Sequence, residues 1–303
     1  MLSTPTEPAS RYYGNSPAIR VARLALAVAQ RLWPGLSVRA AHRLFGTPLP
    51  PRWLRRRRPW PPHWQTERWS FERASLTIYR QAAVAHAPSV LLIHGWGGHA
   101  GQMLPLAQAL TARGLQAIVL EMPAHGRSAG SVSNLPQFAR AVEYVAARLQ
   151  AQGMALHAVV AHSLGANAAA HAVSRGLDVQ RLVLLAPPAS PHEYTRMFAR
   201  MFGLHEATRS AMQARIEARE GILMPQFEPR TVGPRIRSSV LVVHDEDDRI
   251  NRFADGQAYT EAIADARLHA TRGLGHLHLL KDGAVLEQVA DFVTRDAPVL
   301  FPS

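Results

Sequence analysis

Residues Ala161-His162-Ser163-Leu164-Gly165 constrain the fold more than any other stretch of this 303-residue chain. The apolar run Ala158-Val159-Val160 precedes them and the alanine-rich residues 166–173 follow. The segment therefore reads as strand, abrupt turn and helix, with a serine at the apex. Small residues flank that serine at two places either side, as strand and helix backbones that nearly touch require. The first is Ala161, whose methyl is larger than the glycine such a turn favours. A serine that opens a helix also serves as an ordinary N-cap, so the turn needs support from elsewhere.

Three more segments supply it. The apolar residues 90–93 lead into His94-Gly95-Trp96-Gly97-Gly98, whose plain reading is a glycine turn leaving a buried strand. Val240-Leu241-Val242-Val243 runs on into His244-Asp245-Glu246-Asp247-Asp248. A continuous apolar run of this kind is a parallel strand buried on both faces, and ligand sites gather at the carboxyl ends of such strands. Asp245, Asp247 and Asp248 all compete there as a functional acid, against the plain reading of a solvated turn. Finally, Gly273-Leu274-Gly275-His276 follows a short strand at 266–271. A neutral imidazole on such a loop can take a hydroxyl proton. His278, near the start of the next helix, competes with His276.

With Glu121-Met122-Pro123-Ala124-His125-Gly126-Arg127-Ser128 added, residues 66–295 resemble an α/β-hydrolase of the serine-esterase type. That family's loop after its fourth strand is written D-x-P-G-H-G-x-S, and Glu121 and Ala124 depart from it. The loop is mainly architectural in the family, so His125 is expected to be structural. The resemblance implies Ser163 as nucleophile, Asp248 as the acid four residues after His244, and His276 as the base. Their order Ser, Asp, His is the family's own. It also implies an oxyanion hole made by the backbone N–H groups of Trp96 and Leu164. A serine at the turn argues against dehalogenase or epoxide-hydrolase chemistry, which uses an aspartate there. The expected reaction is hydrolysis of a small-molecule acyl ester, with thioester hydrolysis, acyl transfer and a non-catalytic scaffold as alternatives. No cofactor and no metal are expected.

Alternating patterns after residue 66 predict a mostly parallel sheet flanked by helices. Strands are expected near 68–71, 76–80, 90–93, 117–121, 158–162, 182–185, 240–244 and 266–271. Helices are expected near 103–113, 135–150, 164–175, 253–264 and 284–293. An insertion at about 188–237 stands where the family carries a small helical lid. Within it, residues 194–202 place Met197, Phe198 and Met201 along one side. These three, with His162, are candidate substrate contacts, in competition with simple packing of the lid.

The first 65 residues read as a separate extension, and 66–303 as the catalytic domain. Residues 1–73 hold 13 arginines against three glutamates, a net of +10 out of the chain's +12. Five of the six tryptophans (Trp33, Trp53, Trp60, Trp64 and Trp69) lie there, and Arg55 to Arg58 form a run among prolines. Residues 18–45 are helical in pattern, broken at Trp33-Pro34-Gly35. Arginine and tryptophan beside an amphipathic helix suit peripheral attachment to an anionic membrane. The competing expectation is that these helices pack on the body of the protein, and nucleic acid is not expected as a partner. Removal of the extension is expected to leave the chemistry intact. With no cysteine, disulfides and thiol catalysis are excluded. No signal peptide is recognised, and the expected location is the cytoplasm, with the membrane surface as an extension of it.

Overall fold

The computed structural model describes residues 17–48, 60–82 and 87–295. The expectations placed on Trp53 and on the run Arg55 to Arg58 lie outside the described residues. One eight-stranded sheet dominates: β1 (Trp64–Phe71), β2 (Ala74–Gln81), β3 (Ser89–Ile93), β4 (Gln116–Glu121), β5 (Leu156–His162), β6 (Arg181–Leu185), β7 (Ser239–Asp245) and β8 (Ala266–Thr271). Their spatial order is β1-β2-β4-β3-β5-β6-β7-β8. β1 and β2 pair antiparallel, as do β2 and β4, and every later pair is parallel. β3, β4, β5 and β6 are buried along their whole length. This explains the apolar runs at their centres, since helices cover both faces of a parallel sheet.

The crossover helices follow from their own local signals. α4 (Leu135–Ala151) begins where the Asn134 side chain accepts the Gln137 N–H at 2.8 Å, with Pro136 in its first turn. Phe138, Val142, Val145 and Leu149 then recur at helical spacing and are buried. α5 (Leu164–Ser174) is almost wholly buried, and its run of alanines lets it pack closely on both sides. The other helices of the sheet-bearing unit are α3 (Leu104–Ala112), α8 (Pro229–Val232), α9 (Phe253–Ala262), α10 (Gly275–His278) and α11 (Gly283–Thr294).

The chain divides into two compact units, residues 1–47 with 190–225 and residues 48–189 with 226–303. This differs from the division expected at residue 65. Within the first unit, α1 (Pro17–Leu32) and α2 (Pro34–Phe45) share a core with α6 (Pro191–Phe202) and α7 (Glu206–Glu220). Ile19, Leu26 and Ala41 meet Phe198, Phe202, Met212, Ile216 and Met224 there. Phe45 and Phe198 pack edge to face at 5.2 Å between centroids. Gln30 adds a polar clamp, donating to Gly203 O at 3.2 Å and accepting His205 N–H at 2.7 Å. The insertion and the N-terminal helices are thus one folded body. Neither buries its apolar face alone.

The tryptophans of the basic segment divide in the same way. Trp60 stacks on Tyr79 at 4.0 Å, Trp64 and Trp69 are buried, and Arg148 lies over the Trp69 ring. These three hold β1 and β2 and are not available to a membrane. Among the described tryptophans of the segment, Trp33 alone is strongly exposed.

Candidate active site

Ser163 sits between β5 and α5 with φ 54° and ψ −126°, a backbone conformation L-residues rarely adopt. The surroundings hold it there. Its N–H donates to Leu185 O at 2.8 Å, and its carbonyl accepts the Ala166 N–H at 2.8 Å as the helix starts. A Cβ at Gly165 would lie 2.6 Å from His94 O and 2.8 Å from Ile93 Cγ2, so the crossing of α5 over β3 admits only glycine. Ala161 is fully buried in the ladder between Ile93 and Leu184. The close approach that excludes a methyl falls at Gly165.

His276 Nε2 lies 3.1 Å from Ser163 Oγ, and its Nδ1 lies 2.7 Å from Asp248 Oδ2. The three aspartates at the end of β7 have separate partners. Asp248 Oδ1 accepts the N–H groups of Ile250 and Asn251 at 2.7 and 3.0 Å, which aims its other oxygen at His276. Burial pushes its carboxyl up, but hydrogen bonds with His244 and His276 outweigh it and hold the group well below the ordinary carboxylate range. Asp245 is buried and accepts Thr271 Oγ1 at 2.7 Å and the N–H groups of Asp247 and Leu274 at 3.0 Å. Asp247 accepts the Gly273 N–H at 3.1 Å. Asp245 and Asp247 thus strap down the loop that carries His276. His278 is exposed on α10 and makes no contact with Ser163.

The glycine loop after β3 runs against the serine. A Cβ at Gly95 would lie 2.7 Å from Ser163 Cβ. His125 Nε2 accepts the Gly97 N–H at 3.0 Å while its Nδ1 donates to Pro123 O at 2.8 Å. His94 does the same with Met122 N–H at 3.1 Å and Gly95 O at 2.8 Å. Both imidazoles are therefore neutral with the proton on Nδ1. They fasten the loop to residues 122–125, the structural part expected of His125. Glu121 completes the frame: its buried carboxylate accepts Tyr79 O–H at 2.8 Å and the N–H groups of Ala100 and Arg127 at 2.9 and 2.8 Å. Among the described residues, no acceptor engages the N–H of Trp96 or of Leu164, and Leu164 opens α5. Unpaired N–H groups beside a serine hydroxyl suit developing negative charge.

Three of the four candidate substrate contacts have partners within the fold. His162 is buried, its Nε2 donates to the backbone carbonyl of His276 at 2.9 Å, and its ring lies 4.6 Å from the His276 ring. Burial, with the His276 charge next, holds its pKa well below the usual imidazole range. It is a support for His276. Phe198 belongs to the core of the helical unit, and Met201 packs against that core; Met197, one turn along α6, is half-buried. Phe198 and Met201 of the stripe are spent on packing because α1 and α2 cover them. Sequence reasoning left His244 without a part, although its ring approaches Asp248 Oδ2 at 3.6 Å. The one signal for it was its place at the end of a buried strand.

Residues 85–230 match the family model described as serine aminopeptidase, S33. No curated protein sequence matches the chain. Among solved structures, the chain is similar to Est1E from Butyrivibrio proteoclasticus with ferulic acid bound, at 18% identity over 76% of this chain and 98% of that one, TM-score 0.62. The Pyrococcus furiosus esterase Pf2001 aligns at 17% identity over 83% of this chain and 98% of its own, TM-score 0.62. A bacterial membrane phospholipase A aligns at 17% identity over 92% of this chain and 98% of its own, TM-score 0.58.

Proposed function

We propose that this chain, which has the α/β-hydrolase fold and matches a hydrolase family model over residues 85–230, is a serine hydrolase that cleaves a carboxylic ester through an acyl-enzyme. The observation that carries the reading is the run of contacts from Ser163 Oγ through His276 to Asp248, at 3.1 and 2.7 Å. Ionised Asp248 accepts the Nδ1 proton of His276, which leaves Nε2 as the acceptor facing the serine hydroxyl. Oγ attacks the ester carbonyl carbon as its proton passes to Nε2. The oxyanion that forms accepts the N–H groups of Trp96 and Leu164. The imidazolium returns its proton to the leaving alkoxide oxygen, and the alcohol departs. Water then gives a proton to His276 and attacks the acyl carbon, and collapse releases the acid and restores Ser163.

Labelling by a fluorophosphonate tests this, because only an activated serine reacts. Wild type should label and Ser163→Ala should not. A panel of p-nitrophenyl esters beside aminoacyl anilides separates ester from amide cleavage. Absence of both labelling and ester turnover would leave a hydrolase-like scaffold.

The enzyme is further proposed to work at an anionic membrane surface, attached peripherally through its N-terminal helices. Support comes from the net +10 of residues 1–73 and from the phospholipase, whose alignment covers more of this chain than that of either esterase. Among the described residues, no helix is long and apolar enough to cross a membrane.

A further inference from the structure

α1 is apolar on two opposite faces. Ile19 and Leu26 belong to the core it shares with α2, α6 and α7, and Gln30 is buried on the same face. On the other side Val21, Leu24, Val28 and Leu32 are 68, 69, 45 and 60% exposed. Their spacing of three and four residues stacks them into one stripe along a helix of 3.6 residues per turn. Trp33 and Leu36, each 58% exposed, follow at the turn into α2. Scattered single apolar residues on a surface need no explanation, but a continuous stripe opposite the buried face does.

Charge identifies the occupant. Residues 17–48 hold five arginines and no acidic residue. Arg20 and Arg31 are exposed along one margin of the stripe, and Arg39 follows Leu36 on α2 by one turn. Among the described residues, none of these three pairs with a carboxylate. A second copy of the chain docked face to face would bring these arginines against their own counterparts. A surface that is apolar inside and anionic at its boundary satisfies both parts at once.

We infer that the outer face of α1, formed by Val21, Leu24, Val28 and Leu32, is a docking surface for an anionic lipid bilayer, with Arg20, Arg31 and Arg39 at the headgroup level. This rests on the proposal that the enzyme works at a membrane, and it names the surface by which it does so. The helix lies in the plane of the interface, its aliphatic stripe among the upper acyl chains and its arginines reaching phosphates. Helix stability comes from the opposite face, so the stripe is free to enter lipid without unfolding the unit.

The test is sedimentation of the full chain with vesicles of phosphatidylcholine alone and with added phosphatidylglycerol. The parent protein should bind the anionic vesicles, more weakly as salt rises. The combined Leu24→Gln, Val28→Gln and Leu32→Gln variant should bind at least about tenfold more weakly, with turnover of a soluble ester and Tm unchanged. Arg20→Gln with Arg31→Gln should reduce the preference for phosphatidylglycerol. If the triple variant does not fold, Leu24→Trp should show added blue-shifted emission on anionic vesicles. A parent protein that binds no vesicle removes the membrane proposal and this inference together. A folded triple variant that binds like the parent, or no emission shift from Leu24→Trp, overturns the inference and leaves the membrane proposal standing. A dimer in solution that the triple variant abolishes assigns the stripe to a second copy and also overturns it.

Discussion

His162 Nε2 donates to the main-chain carbonyl of His276 at 2.9 Å, so the residue before the serine holds the backbone of the imidazole that faces the serine. A misplaced base can cost up to about a hundredfold in rate when reacting atoms drift by an ångström. His162→Ala should therefore lower kcat by roughly ten- to a hundredfold while KM changes little. His162→Gln, whose carboxamide can still donate, should recover part of the loss. Steady-state ester kinetics check this, and an unchanged kcat in His162→Ala would reduce the residue to packing.

The same burial sets a pH dependence of stability. The pKa of His162 is lowered well below the usual imidazole range, and that of His171 to about 4, both by burial first. Below about pH 6.5 the unfolded chain binds protons at these positions and the folded protein does not, so stability falls as pH drops. Asp248, with its carboxyl held low, adds a loss that begins near pH 4 as the unfolded carboxylate takes up a proton. Tm should decline from neutral pH toward acid, and His162→Gln should show a shallower decline. Equal slopes for the two proteins would contradict the buried neutral histidine.

Among the aspartates, Asp248→Asn should cost about a thousandfold or more in kcat, because it removes the acceptor that fixes the His276 tautomer. Asp245→Asn and Asp247→Asn leave that acceptor in place and loosen the bonds to Thr271, Gly273, Leu274 and the Asp247 N–H. Their losses should be about tenfold, with a lower Tm for the buried Asp245 variant. Kinetics on the three purified variants rank them. If Asp247→Asn proved the most damaging, Asp248 would not be the working acid.

Gly95 and Gly165 should both cost stability when replaced, and Gly95 should cost activity as well. A methyl at Gly95 meets Ser163 Cβ at 2.7 Å, an atom whose place the backbone sets, so Gly95→Ala has to shift the serine and should lose activity together with Tm. A methyl at Gly165 meets the His94 carbonyl at 2.6 Å, where backbone must shift, at a cost of about 1–3 kcal/mol. Thermal melts beside ester assays distinguish the two. A Gly165→Ala protein as stable as the parent would mean the strand–helix crossing is looser than these distances.

A chain beginning at Gln65 lacks Ile19, Leu26 and Ala41, which pack on Phe198, Phe202 and Met212. It should expose that apolar surface, bind a hydrophobic dye and aggregate, contrary to what the sequence suggested for its removal. Light scattering and dye fluorescence read this directly. A monomeric, dye-negative product would show that α6 and α7 find another cover.

The order of elements and the residues facing one another at the ends of β5, β7 and β8 were legible in the sequence. Ser163, Asp248 and His276 stood out because a strained turn, a buried strand ending in acids and a glycine-held histidine each leave a local trace. So did the parallel sheet, whose strands carry mainly apolar runs because both faces are covered. Local traces end where a role depends on a partner far along the chain. The separation of Asp245 and Asp247 from Asp248 rests on bonds to residues 26 to 29 positions away. His162 read as a substrate contact because nothing nearby reveals that its ring lies under a carbonyl 114 residues later. An apolar stripe, likewise, states that a helix must be covered but not by what. Sequence alone determined the sheet, its turn and which serine, aspartate and histidine meet, because those follow from local geometry and periodicity. Only the tertiary structure decided that α1 and α2 cover α6 and α7, and that one face of α1 is left outside, because burial belongs to a pair of surfaces and not to either one.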